Sequence, residues 1–330
     1  MSFFAILFAL LIEQVRPLAR HNPIHASLRA WARWAGTNFD AGKPQHGWVT
    51  WVLAVLGPSM AAVAIHWALV IYAGWIFAVL WNVAVLYVTL GFRQFSYHFT
   101  DIRDALDAGD EALARKLLAE WQQVDASELP RSEIVRHVIE YSVLAAHRHV
   151  FGVLFWFSVL AAFGFGPGGA VFYRMSEFVA RYWKHRSRTQ AQPASEALQS
   201  AAARAWAVVD WLPARATALA FAVVGSFEEA IDCWRNYAQR FPDDNDGVIL
   251  AATSGAVNVR LGGEALKSAY SPNSSQTFTA EGARMVDATV STPGREAEVG
   301  HLRSIVGLVW RSVVLWMVLL ALLTLARLLG

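Results

Sequence analysis

The stretch from Trp48 to Phe92 contains no Asp, Glu, Lys or Arg. At roughly 20 residues per crossing it predicts two transmembrane helices joined by a tight hairpin, interrupted only by Pro58 and His66. A third span is predicted over Ser304 to Leu329, where Arg311 lies near one end and the basic termini suit snorkelling. The opening MSFFAILFALLI is too short to cross alone. It lacks the basic region and small-residue cleavage site of a secretory signal, so it is expected to be retained. Residues 150–173 are apolar and long enough to cross but are broken by GFGPGG at 164–169. Residues 93–149 differ in texture: amphipathic helical periodicity, a turn at Ala108-Gly109-Asp110 and a break at Pro130 predict a helical hairpin. No second copy of that hairpin follows, which argues against a solenoid.

Charge then constrains topology. Residues 13–47, 93–149 and 174–204 all carry several Lys or Arg, and positive loops tend to stay cytoplasmic. If all three do, residues 150–173 cannot cross once. A bent, re-entrant pair around the glycines satisfies both facts, because non-helical backbone is tolerated at depth where it is buried in protein. Residues 204–225, RAWAVVDWLPARATALAFAVVG, are expected to re-enter likewise, since they keep Asp210, Pro213 and Arg215 in apolar company. Pro213 should open the helix near Val209 and Asp210. Each charge is then expected to find a partner on another segment, Glu140 for Arg215 and Arg260 for Asp210.

The predicted fold is therefore an all-α polytopic membrane protein, with transmembrane and re-entrant helices and a cytoplasmic helical hairpin. It reads as one domain over 1–330. Its parts are an N-terminal helix and basic segment (1–47), a transmembrane hairpin (48–92), the cytoplasmic hairpin (93–149), a broken helical core (150–265), a polar loop (266–303) and a C-terminal transmembrane helix (304–330).

Composition agrees. Of 330 residues 55% are hydrophobic and 16% charged, with 15 tryptophans, a profile that points to the lipid bilayer as the main surroundings. The net charge of +2 resides in clusters such as RAWAR and RYWKHRSR that resemble interfacial anchors. No basic stripe with interleaved aromatics suggests nucleic acid. The lone Cys233 excludes an internal disulfide and any multi-cysteine metal site, and is expected to be inert packing.

Candidate chemistry is sparse. GFGPGG matches the GxGxxG spacing, but a helix-like run rather than a strand precedes it, so a backbone kink is the better account than a dinucleotide loop. Arg136, Glu140 and His147 fall on one helical face, which is either a local ion pair with interfacial histidines or the wall of a polar cavity. In DDNDGVILAATSGAVNVRLGG, Asp243 and Asp244 could offer oxygens to Mg²⁺ or simply cap a helix. The small residues Ala251, Ala252, Ser254, Gly255 and Ala256 permit close helix packing. There is no P-loop, HExxH, GxSxG or paired CxxC.

The order of these pieces is more telling than any one of them. RDALDAGDEALARKLLAEW leads to DASEL, EIVRHVIE, GVLFWF, DWLPAR and finally NDGVILAATSGAVNVRLGG. Over roughly residues 93–265 this resembles the CobD/CbiB family of cobalamin-biosynthesis membrane proteins and its relative AmpE, an envelope-signalling protein linked to β-lactamase regulation. In the cobalamin branch the resemblance implies joining an aminopropanol phosphate to adenosylcobyric acid as an amide, with ATP and Mg²⁺. Glu140 matches the first glutamate of that branch's VESVAENTVDG pattern, and Leu212 to Arg215 match its LPAR. Asn245, Ser254-Gly255-Ala256 and Leu261-Gly262-Gly263 match its SPNxG and AGALGVxLGG stretches. Two segments depart. LAAHRH from Leu144 stands where ENTVDG is found, and EFVAR follows Tyr173-Arg174 where NTLDS is found. Losing those acids and amides argues against synthase activity.

The leading expectation is thus an AmpE-like ligand-binding or signalling protein of cell-envelope or peptidoglycan stress, with an anionic small molecule or a signalling partner as its ligand. The alternative is an amide-forming enzyme of the cobinamide-phosphate type, and only that reading brings in Mg²⁺ and ATP. Ligand-binding candidates are Arg136, Glu140, His147, Asp210, Arg215, Asn245, Ser254 and Arg260, with Asp243 and Asp244 for a metal.

Overall fold

A computed structural model describes residues 2–15, 23–189, 194–263 and 291–329. The helices in chain order are α1 (Ser2–Val15), α2 (Pro23–Phe39), α3 (Pro44–Ala68), α4 (Trp75–Thr89), α5 (Phe92–Asp107), α6 (Glu111–Gln122) and α7 (Arg131–Ala146). There follow α8 (Gly152–Ala162), α9 (Gly168–Thr189), α10 (Glu196–Val209), α11 (Trp211–Val224), α12 (Phe227–Tyr237), α13 (Asp244–Val257) and α14 (Val299–Leu329). Among the described residues there is no strand, only isolated bridges at Val259–Arg295 and Gly262–Ser291. The chain is an all-α membrane protein, as predicted. Residues 266–290 of the expected polar loop lie outside the described residues.

Among the described residues three helical stretches are long and apolar enough to cross a bilayer: Pro44–Ala73, Arg131–Ala162 and Val299–Ala326. The pair α10 and α11, broken at Asp210, qualifies only when taken together. The stretch predicted as a transmembrane hairpin over 48–92 turns at Gly74, whose φ of 93° only a glycine adopts easily, but its second arm, Trp75–Thr89, has 15 residues and is shorter than a full crossing. The turn at 108–110 and the helix start after Pro130 also form where expected. One stretch differs in kind from the prediction. Instead of ending at His149, α7 passes through a π-helical turn, His147–Phe151, directly into α8. An apolar run that continues the hydrogen-bond ladder has no reason to stop at HRH.

The chain divides into two compact units, each built from segments distant in sequence. The first comprises 1–93, 148–213 and 320–330. Its core forms where α3 packs against α9 and α10, and where α8 and α9 make a hairpin around GFGPGG. Gly169 is needed there for close approach: a Cβ would lie 1.9 Å from the Trp156 carbonyl oxygen. The glycines serve helix packing after a helix, not a phosphate after a strand.

The second unit comprises 94–147 and 214–319. Its tightest packing is α12 on α13, where the small-residue run does what its composition suggests. A side chain at Gly255 would meet the Glu229 carbonyl oxygen at 2.2 Å. Cys233 is buried at this interface; burial, followed by the charge of Asp232, pushes its thiol up, so it stays protonated and unreactive.

Candidate functional site

The acid and base residues of α7 recur at positions 133, 136, 137 and 140, one face of a helix. Arg136 is 4% exposed and His137 2% exposed. A guanidinium so buried needs its donors filled. Arg136 donates from Nε and Nη2 to Glu133 and from Nη1 to Glu140 Oε1 at 3.1 Å. His137 Nδ1 lies 3.6 Å from Glu140 Oε2. Glu140 Oε1 also accepts the backbone amide of Gly262 at 2.7 Å, which closes the site with a segment 122 residues further along.

From Gly262 the network continues through its neighbours. The Leu261 amide donates to Thr292 Oγ1 at 2.9 Å, and the Ser254 hydroxyl lies 2.7 Å from the same oxygen. Ser254 is fully buried on α13. At the start of that helix Asn245, also buried, accepts a hydrogen bond from Arg215 Nη1 at 3.1 Å. His147 Nδ1 is 2.9 Å from Thr217 Oγ1, two residues beyond Arg215. Arg136, Glu140, His147, Arg215, Asn245 and Ser254 therefore all belong to the second unit, tied by hydrogen bonds across α7, α11 and α13.

The remaining candidates stand elsewhere. Arg260 is exposed, and its backbone amide is bound to the Arg295 carbonyl at 2.7 Å. Asp210, expected to pair with Arg260, is fully buried in the first unit, where the Tyr173 hydroxyl donates to it at 2.7 Å. Asp243 is exposed and caps α13, accepting the Asn245 and Asp246 amides at 3.0 and 3.2 Å. That is the helix-capping alternative to the Mg²⁺ reading, and no group of three His, Cys, Asp or Glu side chains among the described residues could hold a metal.

Sequence reasoning missed Glu133 and His137, although helix spacing from Arg136 marks both. It could not find Thr217 or Thr292, which nothing local distinguishes. It also missed Glu177 of the first unit. That carboxylate is 4% exposed and bound by Arg174 Nη1 at 3.0 Å and Arg181 Nε at 2.9 Å. Burial opposes its charge, but Arg181 and Arg174 outweigh burial and hold it at about 2.

The sequence pattern of the family described as CobD/Cbib protein matches residues 3–293. The chain belongs to the CobD/CbiB family. It is 32% identical over 227 residues to the cobalamin biosynthesis protein CobD of Stutzerimonas stutzeri, covering 68% of this chain and 69% of that protein. To the protein of the same name from Chromobacterium violaceum it is 33% identical over 211 residues, covering 62% and 64%. A Leptospira interrogans relative, again named CobD, is 27% identical over 194 residues, covering 57% and 58%. The matched regions are thus about two thirds of the first two relatives and less of the third. No solved structure matches. The comparisons do not show the AmpE relation, and these relatives carry cobalamin names, which reverses the order of the two readings drawn from sequence.

Proposed function

We propose that this family member serves cobalamin biosynthesis as a multi-pass protein of the bacterial inner membrane, at an amide-forming step between a carboxylate and a phosphate-bearing amine. The observation that supports it most is the Glu140–Gly262 hydrogen bond. It joins two of the stretches carrying the family resemblance, while Arg215 of the LPAR stretch reaches Asn245 of a third.

What these residues can do follows from their bonding. Glu140 is fixed by a guanidinium and an amide, so it positions α7 against the 261–263 turn. Arg215 is half-buried, and a planar guanidinium there matches a carboxylate or phosphate. It would hold an anionic reactant by charge-assisted hydrogen bonds. Among the described residues no three His, Cys, Asp or Glu side chains converge to hold Mg²⁺: Asp243 Oδ1 accepts two backbone amides, Asp244 stands exposed beside it at the start of α13, and Glu140 is engaged by Arg136 and Gly262.

Growth without added cobalamin tests the reading, in a strain deleted for its own membrane synthase and given this chain. Growth is expected, together with its loss in Arg215→Ala at wild-type protein levels in the membrane. No growth from the unmodified chain, with that protein present in the membrane, would refute it. Topology is tested with single cysteines in a Cys233→Ser background. A cysteine at Tyr72, by the hairpin tip, should react with an impermeant reagent from outside, and one at Lys43 should not.

A further inference from the structure

A cavity of about 580 Å³ opens in the first unit between α2, α3, α4 and α9. Such a volume lies within the roughly 300–1,000 Å³ of small-molecule sites. Its walls are apolar almost throughout, with Ile65, Trp81, Val85 and Phe178 among them. The polar exceptions are Thr89 and three cationic or titratable side chains, His25, Arg29 and Arg174.

Contacts within the unit fix which end those residues occupy. Trp81 donates its indole N–H to the Ala62 carbonyl at 3.1 Å, so the apolar end lies toward the Gly74 hairpin tip. His25 is bound to the backbone of Val88, near the far end of α4, with Arg174 and Arg29 close enough for their charges to act on it. Along the 15 residues of α4 that end is about 22 Å from the tip at 1.5 Å per residue. The tip carries Trp67, Tyr72 and Trp75, all exposed, as expected at one membrane interface. In a hydrocarbon layer of about 30 Å, the cationic end then approaches the opposite interface, where lipid phosphates lie. Of the two lining arginines, Arg174 is paired with Glu177, whereas Arg29 makes no ion pair among the described residues, so the cavity keeps an uncompensated cation at this end.

We propose that this cavity is a binding site for an anionic phospholipid, with an acyl chain along Trp81 and Ile65 and the phosphate on Arg29 and Arg174. The ligand chemistry follows from the cavity's own polarity, an apolar trough with cations at one end. It is independent of the cobalamin reading, because no residue of the Glu140 network lines it.

The test uses the full chain purified in detergent, with phosphatidylglycerol and phosphatidylcholine of identical chains, read by native mass spectrometry and thermal unfolding. Phosphatidylglycerol is expected to be retained preferentially and to raise the melting temperature more. Arg29→Gln should lower that preference about fivefold, the worth of one arginine near an anionic headgroup. Among the described residues Arg29 makes only a 3.4 Å contact with the carbonyl of His25 on its own helix, so its loss should leave folding intact. Ala61→Trp fills the trough from an exposed position and should reduce retention of both lipids. Equal binding of the two lipids would overturn the proposal, as would retention unchanged by both substitutions. Displacement of phosphatidylglycerol by an equal concentration of glycerol phosphate would overturn the acyl-chain half and leave a simple phosphate site.

Discussion

Glu177 is buried and Glu140 partly so, and both stand on helices with arginines three or four residues away, yet they are satisfied in different ways. Glu177 is satisfied within its own helix, by Arg174 before it and Arg181 after it. Glu140 shares Arg136 with Glu133 and completes its bonding on the Gly262 amide, far along the chain. The first arrangement stabilises a helix that would exist anyway. The second exists only once α7 and the 261–263 turn have met, so it reports tertiary structure. A long-range, fully satisfied polar contact of this kind is costly to break, because each partner is left in a low-dielectric setting.

Breaking the long-range case should have the largest effect. Glu140→Ala removes one of two acids from Arg136 and strands the Gly262 amide, and removing one partner of a buried pair costs roughly 3–5 kcal/mol. Much less folded protein is expected in the membrane fraction, and a lowered thermal midpoint in detergent. Glu140→Gln keeps an acceptor for the amide and should recover part of the loss. Equal midpoints for wild type and Glu140→Ala would show that the network is dispensable.

The local case should break more gently. Arg181 is 56% exposed and Arg174 21% exposed, so both can turn to solvent when Glu177→Gln removes their acid, and a cost smaller than that of Glu140→Ala is expected. Its mark is in the pH dependence. The folded carboxyl is held at about 2, below its ordinary 4.5. A depressed carboxylate stabilises above its unfolded value, and that contribution disappears as pH falls from about 4.5 toward 2. Thermal midpoints of the wild type should therefore drop through that window more steeply than those of Glu177→Gln. Parallel curves would contradict the ion-pair assignment.

The buried bond between Asp210 and Tyr173 gives a third point on the scale. Tyr173→Phe deletes the hydroxyl that donates to Asp210 and should cost about 1–3 kcal/mol, the penalty for leaving a buried acceptor short of a donor. Asp210→Asn, which keeps an oxygen for the phenol, should cost less. The reverse order would mean that the charge of Asp210, rather than its hydrogen bond, is what the structure requires.

What could be read in advance follows the same division between local and distant. The apolar runs marked two of the three spans, Pro44–Ala73 and Val299–Ala326, Gly109 and Pro130 the breaks around α6 and α7, and the spacing of Arg136 and Glu140 their pairing, because each is decided within a few residues. The continuation of α7 into α8 was missed: HRH looks like a terminus by charge, whereas its backbone stays helical. Asp210–Tyr173, Glu140–Gly262 and Ser254–Thr292 were out of reach, since no local pattern names a partner 37, 122 or 38 residues away. Arg260 was chosen for Asp210 by charge alone, and exposure decides otherwise. The family resemblance reached further than the physics here, bringing Glu140, Asn245, Ser254 and Gly262 together before any contact was known.

The smallest expected effect concerns the break between α10 and α11, where a local cause has a distant remedy. Pro213 has no amide hydrogen to offer the Val209 carbonyl, and its ring crowds that oxygen. The helix accordingly breaks at Asp210, and the Trp156 indole on α8 donates to the Val209 oxygen at 3.0 Å. Trp156→Phe should cost about 1 kcal/mol for that bond beyond whatever packing the indole supplies. Pro213→Ala gives the same oxygen a donor from its own helix, so by itself it should change stability by less than about 1 kcal/mol. In the double variant the new amide replaces the lost indole, and part of the Trp156→Phe cost should return. Such a double-mutant cycle isolates the coupling because both residues act on one carbonyl. Strict additivity would show that the Val209 oxygen is not what links them, and that the break at Asp210 is maintained by the packing of the helices on either side.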